Sequence, residues 1–170
     1  LAGREKMFAQ RADEMMAAFD GCEHVIVNKP SGAFYFTVMF KDGVIGNEQF
    51  LDIADADVAA TIERMVEGVQ PDKRFVYYLM GVTGIVVVPL TGFQCVHHGF
   101  RGTLLEADDE KRAWVMRSLR TAIDQYVTSR RQRGRYPRSS LPDLHSVRRG
   151  TPHSVSLLHS VVGCVFLKWL

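Results

Sequence analysis

Residues 99–106, with the sequence "GFRGTLLE", contain the features that decide the fold of this chain. Apolar and β-branched residues favour a strand here, namely Phe100, Thr103, Leu104 and Leu105. Arg101 interrupts this apolar pattern in the middle of the predicted strand. Its guanidinium stays charged at physiological pH, and a buried charge without a partner costs several kcal/mol. The stretch therefore predicts an anion beside Arg101, supplied by the protein or by a ligand.

The chain on either side of this strand alternates between helical and strand patterns. Helices are predicted over residues 5–19, 55–69, 73–81 and 111–129, and further strands over residues 24–28, 33–40 and 84–89. Asp55 or Asp57 is expected to cap the second helix. The apolar stripe of the fourth helix is expected to consist of Trp114, Val115, Leu119, Ile123 and Tyr126. The 84–89 strand is expected to be short and buried, because its residues are continuously apolar. The fold class is therefore α/β, with a small sheet covered by helices.

Length and cysteine content limit the class of protein. A chain of 170 residues that is 46% hydrophobic can form one domain with a substantial core. Three cysteines stand far apart, Cys22, Cys95 and Cys164, which is typical of free thiols in a reducing compartment and predicts a cytoplasmic location. The first residues lack an apolar leader and an initiator methionine, so we expect no signal peptide and a chain that begins within a longer protein.

Charge is distributed unevenly along the chain. Residues 1–129 contain 13 basic and 18 acidic residues, whereas residues 130–153 contain seven arginines and one aspartate. The composition of 130–153 predicts a disordered or non-native tail outside the domain formed by 1–129. The apolar segment 154–170 falls short of the roughly 20 residues of a membrane-spanning helix, so membrane association is not expected.

Three motifs in order give the chain a resemblance to a known family. They are "KPSGAFYF" at 29–36, "RFVYYLMGVTGIVVVPLTGF" at 74–93 and "GFRGTLLEADDEK" at 99–111. Together they resemble the C-terminal small domain of class I/II aminotransferases, the pyridoxal-phosphate enzymes of fold type I, over about residues 4–129. Within this family, the motifs resemble those of the alanine and aspartate aminotransferase branch. The resemblance implies transfer of an amino group between an amino acid and a 2-oxo acid, in a parent enzyme that is a homodimer.

The resemblance also assigns a role to Arg101. In the family the arginine of the Phe-Arg motif binds the α-carboxylate of the substrate, and a planar guanidinium matches a carboxylate with two hydrogen bonds. The alternative from the residues themselves is a salt bridge from Arg101 to Glu106 or Asp109. An apolar or β-branched residue usually follows the family arginine, so Gly102 departs from the pattern and is expected to loosen the strand. The resemblance places four further residues at the rim of the active site: Gly32, Tyr35, Pro89 and Thr91.

The lysine that such an enzyme requires has no counterpart in this sequence. Transamination uses a lysine that forms a Schiff base with pyridoxal phosphate, and the family presents it after a Ser-x-Ser-Lys motif in the large domain. The lysines of this chain follow no such motif; they are at positions 6, 29, 41, 73, 111 and 168. We therefore expect a fragment that lacks the large domain and the main cofactor-binding residues, contains no catalytic residue, and is inactive by itself.

Three other functions remain possible on the residues alone. The arginine-rich tail favours nucleic-acid binding only weakly, because Tyr136 is its single aromatic residue and no stacking platform is predicted. Cys95, His97 and His98 do not have the spacing of a zinc site, so no metal is expected. A non-catalytic binding or dimerisation module would expose an apolar face, for which the 5–19 helix is the candidate.

Overall fold

The computed structural model of the protein describes residues 2–129. In this range four helices accompany one four-stranded antiparallel sheet of order β1-β2-β4-β3. The helices are α1 (Ala2–Ala18), α2 (Ala56–Met65), α3 (Pro71–Thr83) and α4 (Asp109–Thr128), and the strands are β1 (Val25–Asn28), β2 (Tyr35–Phe40), β3 (Val88–Pro89) and β4 (Gly99–Thr103). The predicted α/β fold class is confirmed. The predictions for 130–153 and 154–170 lie outside the described residues.

Local sequence signals account for both ends of helix α2. The Asp55 carboxylate accepts hydrogen bonds from the backbone N–H groups of Asp57 and Val58, so Asp55 is the cap of α2. The predicted continuation of this helix to residue 69 is wrong. The helix ends at Met65, because the chain turns at Gly68, whose φ of +67° is a left-handed value that favours glycine.

The third predicted strand is shorter and more exposed than its sequence indicates. Only Val88 and Pro89 pair with β4, and the expectation of a buried strand over 84–89 is wrong. Val86 is 51% exposed and Val88 is 44% exposed, whereas Val87 is buried. β3 lies at the edge of the sheet, where a strand pairs on one side only and proline is tolerated although it has no N–H.

Helix α4 buries Leu119, Ile123 and Tyr126 of its predicted apolar stripe, but not Trp114. Trp114 is 45% exposed, while Met116, Leu119 and Ile123 are buried. These three residues recur at spacings of three and four and share one side of the helix, from which Trp114 points away. Helix α1 is also packed inward, with Met15 fully buried, so it does not provide the exposed apolar face considered for a dimerisation module.

The core lies on one face of the sheet. Alternate residues of β2 and β4 point into it: Phe36, Val38, Phe40 and Phe100. Helix α3 adds Phe75, whose ring centroid lies 5.1 Å from that of Phe40 and 5.7 Å from that of Phe100. The residues between them in sequence occupy the opposite face, where they are only half-buried. Arg101 belongs to this outer face.

Gly102 is explained by the ring that packs against it. Phe36 and Gly102 are directly paired across β2 and β4, and both point into the core. A Cβ atom on Gly102 would lie 2.5 Å from the Cζ atom of Phe36, closer than real Cβ contacts come. The glycine that departs from the family pattern therefore accommodates a fully packed phenylalanine. The loosening of the strand by Gly102 stays a prediction.

We predict that Gly102→Ala destabilises the protein by about 1–3 kcal/mol, because the added methyl group overpacks the Phe36 ring. Phe36→Leu in the same chain should remove part of that cost, so the two substitutions should be non-additive. Urea unfolding of the two single variants and the double variant measures this coupling. Gly32→Ala is the control, since a Cβ at Gly32 meets nothing within 4 Å. Additive effects would contradict the proposed contact.

Candidate functional site

Arg101 lies at the centre of the outer face of the sheet. It is paired with Thr37 of β2 on one side and with Val88 of β3 on the other. Because β4 is an inner strand, its backbone is held on both sides and the starting point of the Arg101 side chain is well defined. The side chain is half-buried, so it can meet a ligand from solvent.

Two aromatic rings contact the guanidinium. Its central carbon lies 4.5 Å from the centroid of the Tyr35 ring and 4.1 Å from the centroid of the Phe93 ring. Both distances are within the range of favourable cation–π contacts. Stacking of this kind engages the face of a guanidinium, whereas its N–H groups lie in the plane and remain the donors for a carboxylate.

The alternative salt bridges predicted for Arg101 are absent. Glu106 pairs instead with Lys111 at 2.7 Å, and this hydrogen bond lowers the pKa of the Glu106 carboxyl. Asp109 pairs with Arg112 at 2.9 Å. Within residues 2–129, no carboxylate lies within ion-pair distance of Arg101. The protein thus presents a positively charged side chain without an acidic partner in its described part.

Thr91 has a structural partner that the sequence analysis did not identify. The Asp72 carboxylate accepts a hydrogen bond from the Thr91 N–H at 2.9 Å and another from the Thr91 hydroxyl at 2.7 Å. Asp72 lies in the first turn of α3 and is fully buried. The only sequence signal for this contact is that Asp72 directly follows the proline at the start of the helix. An acidic residue at that position is more commonly exposed to solvent, where it stabilises the helix through the helix dipole.

The other predicted rim residues differ in their relation to Arg101. Tyr35 is brought against it by the pairing of β2 with β4. Pro89 pairs with Phe100, next to Arg101 in β4, and precedes the 3₁₀ turn Leu90–Phe93. Gly32 lies in the exposed turn before β2 and is not brought into contact with the arginine. The roles that the resemblance gives to these residues stay predictions.

The described lysines do not fit the attachment of pyridoxal phosphate. All five of them are exposed: Lys6, Lys29, Lys41, Lys73 and Lys111. Lys29 is paired with Asp13, and Lys111 with Glu106, whose contact raises the pKa of the Lys111 amine. A nucleophilic lysine needs burial or a neighbouring cation to lower its pKa. The described lysines therefore lack the burial that favours covalent attachment of that cofactor.

Among residues 2–129, no cluster of three or more histidine, cysteine, aspartate or glutamate side chains is arranged to hold a metal ion. None of the helices in the same range is both long and apolar enough to cross a membrane.

Sequence comparison identifies an aminotransferase as a relative. The chain is 39% identical over 127 residues to an uncharacterized aminotransferase of Methanocaldococcus jannaschii, a match that covers 75% of this chain and 29% of the relative. The predicted resemblance to aminotransferases is confirmed by this match. The chain thus spans less than a third of the length of the curated relative.

Two further comparisons were made. No family model matches the chain. Among solved structures, an aspartate aminotransferase from Rhodobacter sphaeroides is similar with a TM-score of 0.47 and 20% sequence identity, covering 71% of this chain and 24% of that one.

We predict that Arg101 contributes little to folding stability, in contrast to the buried Arg112. Arg101→Met should change the free energy of unfolding by less than about 1 kcal/mol, because it loses only ring contacts. Arg112→Met should cost about 2–3 kcal/mol, because the Arg112 guanidinium donates to Glu14, to Asp109 and to the carbonyl of Glu106. Urea unfolding measures both. Equal destabilisation by the two substitutions would indicate a structural role for Arg101.

Proposed function

We propose that this chain is part of a pyridoxal-phosphate-dependent aminotransferase in which Arg101 binds the α-carboxylate of the amino-acid or 2-oxo-acid substrate. The observation on which this rests is the Arg101 guanidinium, which contacts two aromatic rings and has no acidic partner among residues 2–129. The aminotransferase relative supports the general reaction. The carboxylate role of Arg101 is our inference from the geometry and from the motif.

The chemistry of the guanidinium suits this role. Two parallel N–H···O hydrogen bonds fix both the position and the orientation of a carboxylate, which a lysine cannot do. The half-buried position on the sheet limits competition by water while leaving access from solvent. Arg101 would therefore hold the end of the substrate next to the reacting carbon, while its amino or oxo group remains available.

The remaining parts of the active site would be supplied by the rest of the protein. Pyridoxal phosphate, when bound, supplies the electron sink for reaction at the α-carbon, and no lysine among residues 2–129 is assigned to its attachment. The relative extends well beyond the aligned segment, which supports a large domain that carries the cofactor. We propose that the complete enzyme is a homodimer in the cytoplasm, and the free thiols of Cys22 and Cys95 favour such a reducing compartment.

A second candidate is a binding module that retains carboxylate recognition without catalysis. It is favoured by one observation, namely that the described part combines a partly accessible Arg101 with lysines that are all exposed. Both candidates require Arg101 to bind a carboxylate, so they differ in activity and not in binding. A binding measurement therefore tests the carboxylate role that both candidates share, and an activity measurement tests whether this chain catalyses the reaction by itself.

We predict that pyruvate binds to the 170-residue chain at Arg101. Arg101→Lys should weaken this binding roughly tenfold, because the charge is kept but the bidentate geometry is lost. The measurement is an NMR titration with pyruvate that follows the backbone amides of β4. Arg117→Lys, at an exposed position of α4, is the matched control and should bind like the wild type. An equal loss of pyruvate affinity in both variants, or the absence of any change in the β4 amide signals of the wild type, would contradict the carboxylate role of Arg101.

We also predict that the 170-residue chain alone does not transaminate. With pyridoxal phosphate, L-aspartate and 2-oxoglutarate present, the chain should yield no glutamate above a control without protein, because its described lysines are exposed and lack the burial that activates the amine. Coupled glutamate detection is the measurement. Protein-dependent product would show that the chain contains a complete site, contrary to the proposed division of the enzyme.

A further inference from the structure

The Phe93 ring that contacts Arg101 is placed by a short turn. Phe93 ends the 3₁₀ turn Leu90–Phe93, which follows directly on β3. The ring itself is 46% exposed, so core packing alone does not hold it over the guanidinium. Its position must therefore be set mainly by the backbone of the turn.

Three contacts hold that backbone. Leu90, at the start of the turn, is buried. Thr91, the second residue, is bound to Asp72 through both its N–H and its hydroxyl. At the far end Gln94 adopts a left-handed φ of 59°, uncommon for a residue other than glycine, and its N–H donates to the carbonyls of Leu90 and Thr91. The turn is thus anchored before Phe93 and closed directly after it.

Asp72 is an uncommon residue to find at this place. Its side chain is fully buried, which disfavours a charged carboxylate unless hydrogen bonds compensate for the lost water. Three donors converge on it: the N–H of Lys73 at 2.8 Å, the N–H of Thr91 and the hydroxyl of Thr91. The Nδ1 atom of His98 also lies 3.7 Å from the carboxylate. Two of the three hydrogen bonds come from Thr91, so the buried carboxylate mainly holds the turn that carries Phe93.

We propose that Asp72 is a positioning residue for Arg101, acting through Thr91 and the Leu90–Phe93 turn to hold the Phe93 ring on the guanidinium. The carboxylate-binding consequence rests on the function proposed above. Because the rings of Tyr35 and Phe93 both contact the guanidinium, it has fewer orientations available before the substrate binds. A ligand then binds more tightly, because less side-chain freedom is lost on binding.

The inference joins residues that are distant in sequence and belong to different elements. Asp72 belongs to α3, Thr91 and Phe93 to the turn, and Arg101 to β4. Asp72 does not contact the proposed substrate and is not a catalytic residue. Its effect on Arg101 should therefore be seen first in the environment of the guanidinium, before any ligand is added.

The test uses the 170-residue chain and the NMR signal of the Arg101 side-chain Nε–H group. Aromatic rings stacked on this group shield its proton, so loss of the Phe93 contact should shift the signal downfield. Phe93→Leu, which removes the ring, defines the full shift. Thr91→Val, which removes the hydroxyl and keeps the shape, should move the signal part of the way, and Thr91→Ser, which keeps the hydroxyl, should leave it near the wild-type position. Val96→Ala, at an 86% exposed residue of the following loop, is the control.

Pyruvate affinity in the same samples provides the second measurement. We expect Phe93→Leu to weaken pyruvate binding by up to about fivefold, because the guanidinium regains orientations that must be given up on binding, and Thr91→Val to weaken it less. A folded Thr91→Val variant whose Arg101 signal stays at the wild-type position would overturn the positioning role. If the Thr91→Val variant does not fold, the test depends on Phe93→Leu. An Arg101 signal and a pyruvate affinity that are both unchanged in the Phe93→Leu variant would overturn the inference.

The two readouts separate this inference from the proposed function. If the wild-type chain binds no pyruvate but the Arg101 signal responds to the variants as expected, the carboxylate role fails and the positioning of the guanidinium stands. If pyruvate binds at Arg101 but neither the signal nor the affinity responds to Phe93→Leu, the carboxylate role stands and the positioning role of Asp72 fails.

Discussion

The pairing of β2 with β4 is the constraint on which the rest of the structure depends. It joins segments about sixty residues apart in a register that places Phe36 opposite Gly102 and Thr37 opposite Arg101. A shift of one residue would exchange the two faces of β4 and direct the Arg101 side chain into the aromatic core. The packing of the Phe36 ring on Gly102 opposes such a shift, because either neighbour in β4, Arg101 or Thr103, would place a Cβ atom against the ring. The same contact that closes the core therefore also keeps the arginine on the outer face.

The arginines of the described part show how differently one residue type can be used. Arg112 is buried and satisfied by carboxylates and a carbonyl, which joins α1 to α4. Arg74 is buried beneath the loop that precedes α2 and donates to the carbonyls of Gln49 and Val66 and to the Tyr78 hydroxyl. Arg101 has aromatic neighbours in place of acidic ones. A cation held by rings keeps its in-plane donors for another group, and this difference in surroundings is the physical basis of its proposed role.

The sequence predicted most of the helices and strands, because their signals are local. The long helix over 111–129 corresponds to α4 (Asp109–Thr128), and the strand containing Arg101 corresponds to β4 (Gly99–Thr103). The errors have tertiary causes. The apolar run 84–89 looks like an interior strand, yet only Val88 and Pro89 pair, at the edge of the sheet. Trp114 looks like a core residue, yet it lies on the opposite side of α4 from Leu119 and Ile123, whose burial the sequence predicted correctly. Hydrophobicity indicates that a residue can be buried, but the neighbours available in the fold decide whether it is.

For the candidate site, the sequence by itself determined the residue and its chemistry: an arginine within an apolar strand, in motifs that resemble those of aminotransferases. Only the tertiary structure decided what surrounds it. Glu106 and Asp109 are near in sequence but pair with other cations, whereas Tyr35 and Phe93 are brought to Arg101 by strand pairing and by a turn. Asp72 could not be found from the sequence, because its function depends on a buried contact with Thr91. Local patterns depend on backbone preferences and periodicity, while contacts between distant residues depend on how the elements pack.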